Sequence, residues 1–244
     1  MSAPSKDAPR SGMAPLERVL EPEVMDTDEE ARAYDAMDHA AVNAAFCSDL
    51  FALKPDLLST LDVGTGTALI PIELCRRSPA ARVVAIDLAA SMLERAAMNV
   101  ARAGLNDSIS LKRVDAKALP FDDRSFSSVI SNSIVHHIPD PMPVLAEMQR
   151  VIQPGGWLFV RDLIRPAEDA DVVALVQMHA AEADAQQRAL FDASLRAAFT
   201  LDEVRALAAA TGIPSSCVQK TSDRHWTLAY KRPTDDRGGE RNAE

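Results

Sequence analysis

Residues 61–69 read LDVGTGTAL, an apolar segment carrying the acid Asp62 that breaks into Gly64, Thr65 and Gly66 before a second apolar run. Glycine has no Cβ and reaches the left-handed conformations of a tight turn, so the pattern lets a ligand lie against bare backbone where a strand passes into a helix. Such a turn is weak evidence alone, and two further acids in register strengthen it. Asp87 stands 21 residues beyond Gly66, at the end of a second apolar run, where a carboxylate can accept both hydroxyls of a ribose. Asp115 closes a third run, where its carboxylate and the Ala116 backbone can read an adenine edge. Leu88 follows Asp87, and Met92, one turn into the next helical segment, can lie against the base. A dinucleotide fingerprint would need a third glycine three places after Gly66, where this chain has Leu69, and that weakens an NAD reading.

A second set of residues could move protons or hold a substrate. His136 and His137 follow a fourth apolar run, and an imidazole titrating near neutrality suits a general base; the alternative is that each packs or caps the loop before Pro139. Arg161 and Asp162 end a fifth run, with Asp162 a further candidate to take a proton. His179, Arg224, His225 and Trp226, with Asp223, are candidate substrate groups, against which stands their use as ion pairs and a packed indole. From the N-terminal side Tyr34, Asp38 and His39 could close over the ligand, Tyr34 toward the cofactor and His39 toward the substrate.

These residues need a scaffold that brings chain ends of several strands together. LLSTLDV, RVVAIDL, SISLKRVDA, SSVISNS and WLFVRDL are strand-like and alternate with segments of helical spacing, one of them closed by Gly104 and another opened by Asp140 and Pro141. Crossovers of that kind imply a mainly parallel, doubly wound α/β sheet. Thr200 and Glu203 form a capping box, and SSCVQKT and HWTLAYK, separated by SDR, read as a hairpin that makes the end of the sheet antiparallel. Residues 1–15 are expected to be disordered, 16–231 to form one domain, and 232–244 to be a tail too polar to pack. Within the domain, 16–50 is expected to be a helical lid and 167–199 a helical cap inserted over the sheet.

The glycine spacing suits a nucleoside ligand with no pyrophosphate to seat on a helix N-terminus, and S-adenosylmethionine has that shape. Residues 58–165 resemble a class I S-adenosylmethionine-dependent methyltransferase, in the broad group of ubiquinone and menaquinone C-methyltransferases and many small-molecule enzymes. The matching pieces are LDVGTGTA, VVAIDLAASML, RVDAKALPFDDRSFSSVISNSIVHHIPDP and VLAEMQRVIQPGGWLFV. The resemblance implies a Rossmann-like seven-stranded sheet of order 3-2-1-4-5-7-6 with the last strand antiparallel. It implies Gly64, Thr65 and Gly66 under the methionine part of the cofactor, Asp87 on ribose, Asp115 and Ala116 at adenine, and Asn132 facing the methionine part. Ala68 stands where a third glycine is common. Beyond residue 165 the resemblance is loose.

Composition bounds the partners. The 244 residues, 47% hydrophobic, carry a formal net charge of −10 and no basic stripe, which disfavours nucleic acid as a substrate. The acidic run at 21–38 reads as a solvated helix face. Cys47, Cys75 and Cys217 are far apart and form no CxxC pair, so no metal site is expected, and neither a membrane span nor a secretion signal is seen. SNSI is not the tetrad of amino-methylating enzymes, and no Pro-Cys or Thr-Cys dipeptide exists to attack cytosine C5. The expectation is a cytoplasmic monomer or homodimer that transfers a methyl group in line from S-adenosylmethionine to a small molecule. The alternatives are an RNA or protein methyltransferase, or a protein that binds the cofactor without transfer.

Overall fold

The computed structural model describes residues 16–24, 26–37 and 39–235. The expected N-terminal disorder at 1–15, Asp38, and the tail from 236 onward lie outside the described residues.

Two helices, α1 (Asp28–Asp35) and α2 (Ala40–Ala52), precede the sheet. Then β1 (Thr60–Val63), α3 (Leu69–Arg77), β2 (Val83–Asp87), α4 (Ala90–Ala103), β3 (Ile109–Arg113), β4 (Phe126–Asn132), α5 (Met142–Val151) and β5 (Ile152–Leu163) alternate. After α6 (Asp169–His179), α7 (Ala185–Ala197) and α8 (Leu201–Ala210), the chain closes with β6 (Val218–Lys220) and β7 (His225–Lys231). The seven strands lie in the order β3-β2-β1-β4-β5-β7-β6, as expected. β1 pairs in parallel with both β2 and β4, whereas β7 runs antiparallel to β5 and β6.

Burial follows from this layering. All four residues of β1 are buried, because helices cover the central strand on both faces. One core cluster joins Leu61, Val129, Leu158 and Trp226 to Val144, Leu145 and Met148 of α5; the other joins Ile130 and Phe159 to Phe46 and Leu50 of α2 and Leu74 of α3. The Pro-Gly-Gly at 154–156 lies inside β5. Gly156 is needed there, since a Cβ would come within 2.7 Å of the Ser127 carbonyl oxygen on β4. The packed chain also extends past 231: Arg232 donates from Nη1 to the carbonyls of Gln149 and Ile152, and Arg124 pairs with Asp235.

The helical residues at 167–199 resolve into the α6–α7 pair, which packs Val172, Leu195 and Ala198 with Leu163 and, from the N-terminal strap, Leu16. The capping box expected at α8 is present, and a second one, Asp184 with Gln187, opens α7. Among the described residues no helix is long and apolar enough to cross a membrane.

Candidate functional site

The sheet order reverses between β1 and β4, and an open α/β sheet receives ligands beyond the carboxyl ends of its strands at that point. The backbone here is left-handed at Gly64 (φ 73°), Gly66 (φ 54°), Ala68 (φ 63°) and Ser133 (φ 58°). For Ala68 and Ser133 that conformation costs on the order of 1–2 kcal/mol each, so packing around the turn must hold them there. The result is a cavity of about 860 Å³, including its open mouth, beside a smaller one of about 340 Å³ that shares Tyr34, Gly64 and Asn132 with it.

Every residue the sequence assigned to the cofactor lines one or both of these spaces. Tyr34, Gly64, Gly66, Asp87, Leu88, Met92, Asp115, Ala116 and Asn132 line the larger, and Asp62 and Thr65 line the smaller. Each oxygen of Asp87 accepts one backbone N–H, Gly66 at 2.8 Å and Ala89 at 3.0 Å, which fixes the carboxylate and leaves lone pairs for a ligand. Burial pushes the Asp87 carboxyl above its ordinary pKa against the pull of those two bonds. Asp62 is 2% exposed, and burial pushes it up to about 7. Two buried oxygens at this end, Thr65 Oγ1 and Asn132 Oδ1, have no hydrogen-bond partner, a cost that a ligand donor would remove. Asp115 accepts the Lys117 N–H at 2.9 Å, and Lys117 in turn pairs with Glu23. Tyr34 roofs the turn: a Cβ on Gly66 would lie 3.6 Å from its ring.

His136, His137 and Asp162 also come together. Val135–His137 is a short 3-10 turn after β4, and Asp162 on neighbouring β5 accepts the backbone N–H of Val135 and His136 and sits 2.5 Å from His136 Nδ1. Burial works against a charge on His136, yet Asp162 and Glu21 outweigh it and hold its pKa above the ordinary value. Burial and the neighbouring His136 push His137 down to about 3. His137 lines the cavity; His136 stands behind it, 3% exposed.

The remaining candidates are placed elsewhere. Trp226 is 1% exposed in the main core, so its ring is packed rather than offered to the cleft. Arg161, also buried, donates to Thr227 Oγ1 at 3.0 Å and pairs with Asp49 at 2.5 Å, tying α2 to the sheet. His39 meets the Tyr34 carbonyl at 2.9 Å and stacks near its ring, an arrangement that steadies Tyr34. His179 pairs with Asp223 at 2.5 Å and accepts from Arg224, which ties α6 to the β6–β7 hairpin, while His225 bonds Ser222. None of these six side chains is among those lining the two spaces described above.

Glu21 and Arg18 were not singled out from the sequence. Glu21 Oε1 lies 3.4 Å from His136 Nε2 and 3.1 Å from His137 Nδ1. Arg18 donates to the carbonyls of His136, Ile138, Pro139 and Ala197 and stacks over Phe199. Both belong to a strap more than 100 residues away from these partners in the chain, and no local spacing signals such contacts.

With this geometry in view, comparison with known proteins bears on the central segment. Residues 61–160 match the model of a methyltransferase domain. This segment is similar to that family over 100 residues. A ubiquinone/menaquinone biosynthesis C-methyltransferase of Hahella chejuensis is 36% identical over 109 residues, 44% of this chain and 44% of the relative. The 27-O-demethylrifamycin SV methyltransferase of Amycolatopsis mediterranei is 27% identical over 175 residues, 70% of this chain and 61% of the relative. The chain therefore spans less than two thirds of either relative's length. The crystal structure of a SAM-dependent methyltransferase from Aquifex aeolicus superposes with a TM-score of 0.58 at 17% identity, covering 84% of this chain and 98% of that one, and it shares the fold. The chain thus has the Rossmann-like architecture of that structure, with the sheet order β3-β2-β1-β4-β5-β7-β6.

Proposed function

We propose that the protein is an S-adenosylmethionine-dependent methyltransferase acting on a small molecule. The observation that carries this reading is the convergence of Asp87, Asp115, Met92, Asn132 and the Gly64–Gly66 turn on one cavity within the methyltransferase domain. In it Asp87 holds the ribose hydroxyls, Asp115 and Ala116 read the adenine, and Met92 lies against the base. Asp62 and the orphan Asn132 oxygen receive the ammonium of the methionine part, which matches the burial of Asp62 and the missing donor at Asn132 Oδ1. The cofactor, when bound, supplies an activated methyl on a sulfonium. The chain's own share is to align an acceptor in line with that methyl, exclude water and receive any departing proton.

His137 is the imidazole on the cavity wall, and His136, set by Asp162, stands behind it. His137, pushed down to about 3, is too weak a base to keep a proton near neutrality, so a proton leaving the acceptor would pass to the His136–Asp162 pair behind it. On that reading His136→Ala or His137→Ala lowers turnover at least about tenfold while cofactor affinity moves little. The net charge of −10 favours a small acceptor over RNA. The reading is tested by incubating the protein and methyl-labelled cofactor with a metabolite extract and following label into low-mass products. Melting should also rise with S-adenosylhomocysteine and not with NAD. Label transferred only to RNA or protein, or stabilisation by NAD alone, overturns it.

A further inference from the structure

We propose that Glu21, His136 and His137 form a site for one divalent transition-metal ion of the zinc type, at the seam between the N-terminal strap and the turn after β4. Their donor atoms all lie within 4.8 Å of one another. A tetrahedral ion with bonds of about 2.0–2.1 Å holds its ligands about 3.3 Å apart along each edge. The two separations from Glu21 Oε1, 3.4 Å to His136 Nε2 and 3.1 Å to His137 Nδ1, are such edges. Hydrogen bonding does not account for the second of them: His137 Nδ1 is buried and has no hydrogen-bond partner, although the carboxylate is this near.

The surroundings are those of a built site. Asp162 Oδ1 sits 2.5 Å from His136 Nδ1, and a carboxylate on the far nitrogen fixes the tautomer that leaves Nε2 free as a ligand. Ser194 Oγ donates to both oxygens of Glu21, at 3.3 and 3.4 Å, and so orients that carboxylate. The three side chains are 11%, 4% and 18% exposed for Glu21, His136 and His137, which shields an ion from competing water. Two carboxylates, Glu21 and Asp162, flank the two imidazoles, and a bound dication would sit against that negative charge. Arg18 is the opposing cation, and its guanidinium is engaged with four backbone carbonyls. Two imidazoles and one carboxylate suit zinc, iron or nickel better than magnesium or calcium. The thiols stay out of it: Cys47 and Cys75 are buried in the other core cluster. Because His137 also lines the cavity, an ion here would both pin the strap and stand at the wall where an acceptor binds.

The inference does not depend on which molecule is methylated, and its test is binding alone. Full-length protein freed of metal with a chelator is titrated with Co²⁺. The expected result is uptake of one equivalent with the intense visible bands of a four- or five-coordinate ion, no thiolate charge-transfer band, displacement by Zn²⁺, and a higher melting temperature. Glu21→Gln and His137→Gln should each weaken binding by at least about tenfold. Should either variant fail to fold, X-ray absorption on the zinc-loaded wild-type protein must show two imidazoles and no sulfur. Absence of saturable uptake, uptake unchanged in both variants, or a sulfur ligand overturns the proposal. Binding of S-adenosylhomocysteine to the metal-free protein is measured alongside, so that a failed metal site leaves the methyl-transfer reading standing.

Discussion

At the scale of single residues, the two glycines of the turn do different work. A Cβ on Gly64 would fall 2.1 Å from Ile134 Cγ2, in a backbone already at φ 73°, whereas one on Gly66 meets nothing closer than the Tyr34 ring at 3.6 Å. Gly64→Ala should therefore cost several kcal/mol by adding overpacking to left-handed strain, and Gly66→Ala only about 1–2 kcal/mol from strain alone. Urea denaturation of both variants checks the order; equal losses would contradict it. Asp87→Ala, in contrast, should spare the fold and weaken cofactor binding on the order of a hundredfold, since two charge-assisted bonds to ribose are worth roughly 3 kcal/mol. Calorimetry showing unchanged affinity would remove Asp87 from the site. These cofactor positions were legible because each stands at a strand end, where the pattern of apolar runs fixes its place in space. Trp226 and Arg161 stand at strand ends too, but in β7 and β5 their side chains are taken up by the core and by Asp49 and Thr227, which sequence spacing does not reveal.

At the scale of elements, the strap and α1 lie outside the sheet yet line the cavity, and the α6–α7 pair packs against the strap. Ala31 of α1 and Val24 pack against Ala89 and Met92, and Lys117 on the cavity wall pairs with Glu23 of the strap. Arg18 fastens the strap to both the end of α7 and the loop after the 3-10 turn, through Ala197 at 2.6 Å and His136 and Ile138 at 3.0 Å each. Arg18→Ala leaves those carbonyls without their donor, and the segment 16–24, still held through Leu16, Glu21 and Glu23, should open locally more often. Amide exchange is expected to quicken at 16–24 and 185–199 and to stay unchanged in β1, while bound cofactor should slow it at 26–50 and 167–199 if these elements act as a lid. Exchange indifferent to both would argue for a fixed cover. The alternation of strands and helices was readable because crossovers need it, and the order of the sheet came with the resemblance. The strap was not, because an acidic stretch such as 21–38 has the composition of a solvated surface, and Glu21 acquires its role only through partners brought by the fold.

At the scale of the whole molecule, Asp62 in the site and His225 outside it leave opposing marks on how stability depends on pH. Burial lifts Asp62 from 3.8 to about 7, so between those values the folded protein holds a proton that the unfolded chain has released. Stability from this group is greatest below pH 3.8 and declines as pH rises through 7. His225 runs the other way: burial first, then the charges of Arg224 and Arg161, lower it from 6.5 to about 4. Its contribution is fully present above pH 6.5 and is lost as pH falls through 4. Across pH 4–6.5 the two slopes oppose each other, and single substitutions should separate them. Asp62→Asn removes a buried charge and should stabilise the cofactor-free protein at pH 7.5 by on the order of 2–4 kcal/mol, a gain that shrinks as pH falls toward 4. The same change should weaken cofactor binding, because the buried carboxylate is what would meet the ligand's ammonium. His225→Gln should lessen the acid-side loss and leave cofactor affinity alone, its side chain being bonded to Ser222 and not on the cavity wall. Melting curves and cofactor titrations at a series of pH values on the wild type and both variants decide the matter. If Asp62→Asn gains stability at every pH alike, the carboxyl is charged throughout. If it gains stability and keeps full affinity, Asp62 serves the fold and not the ligand.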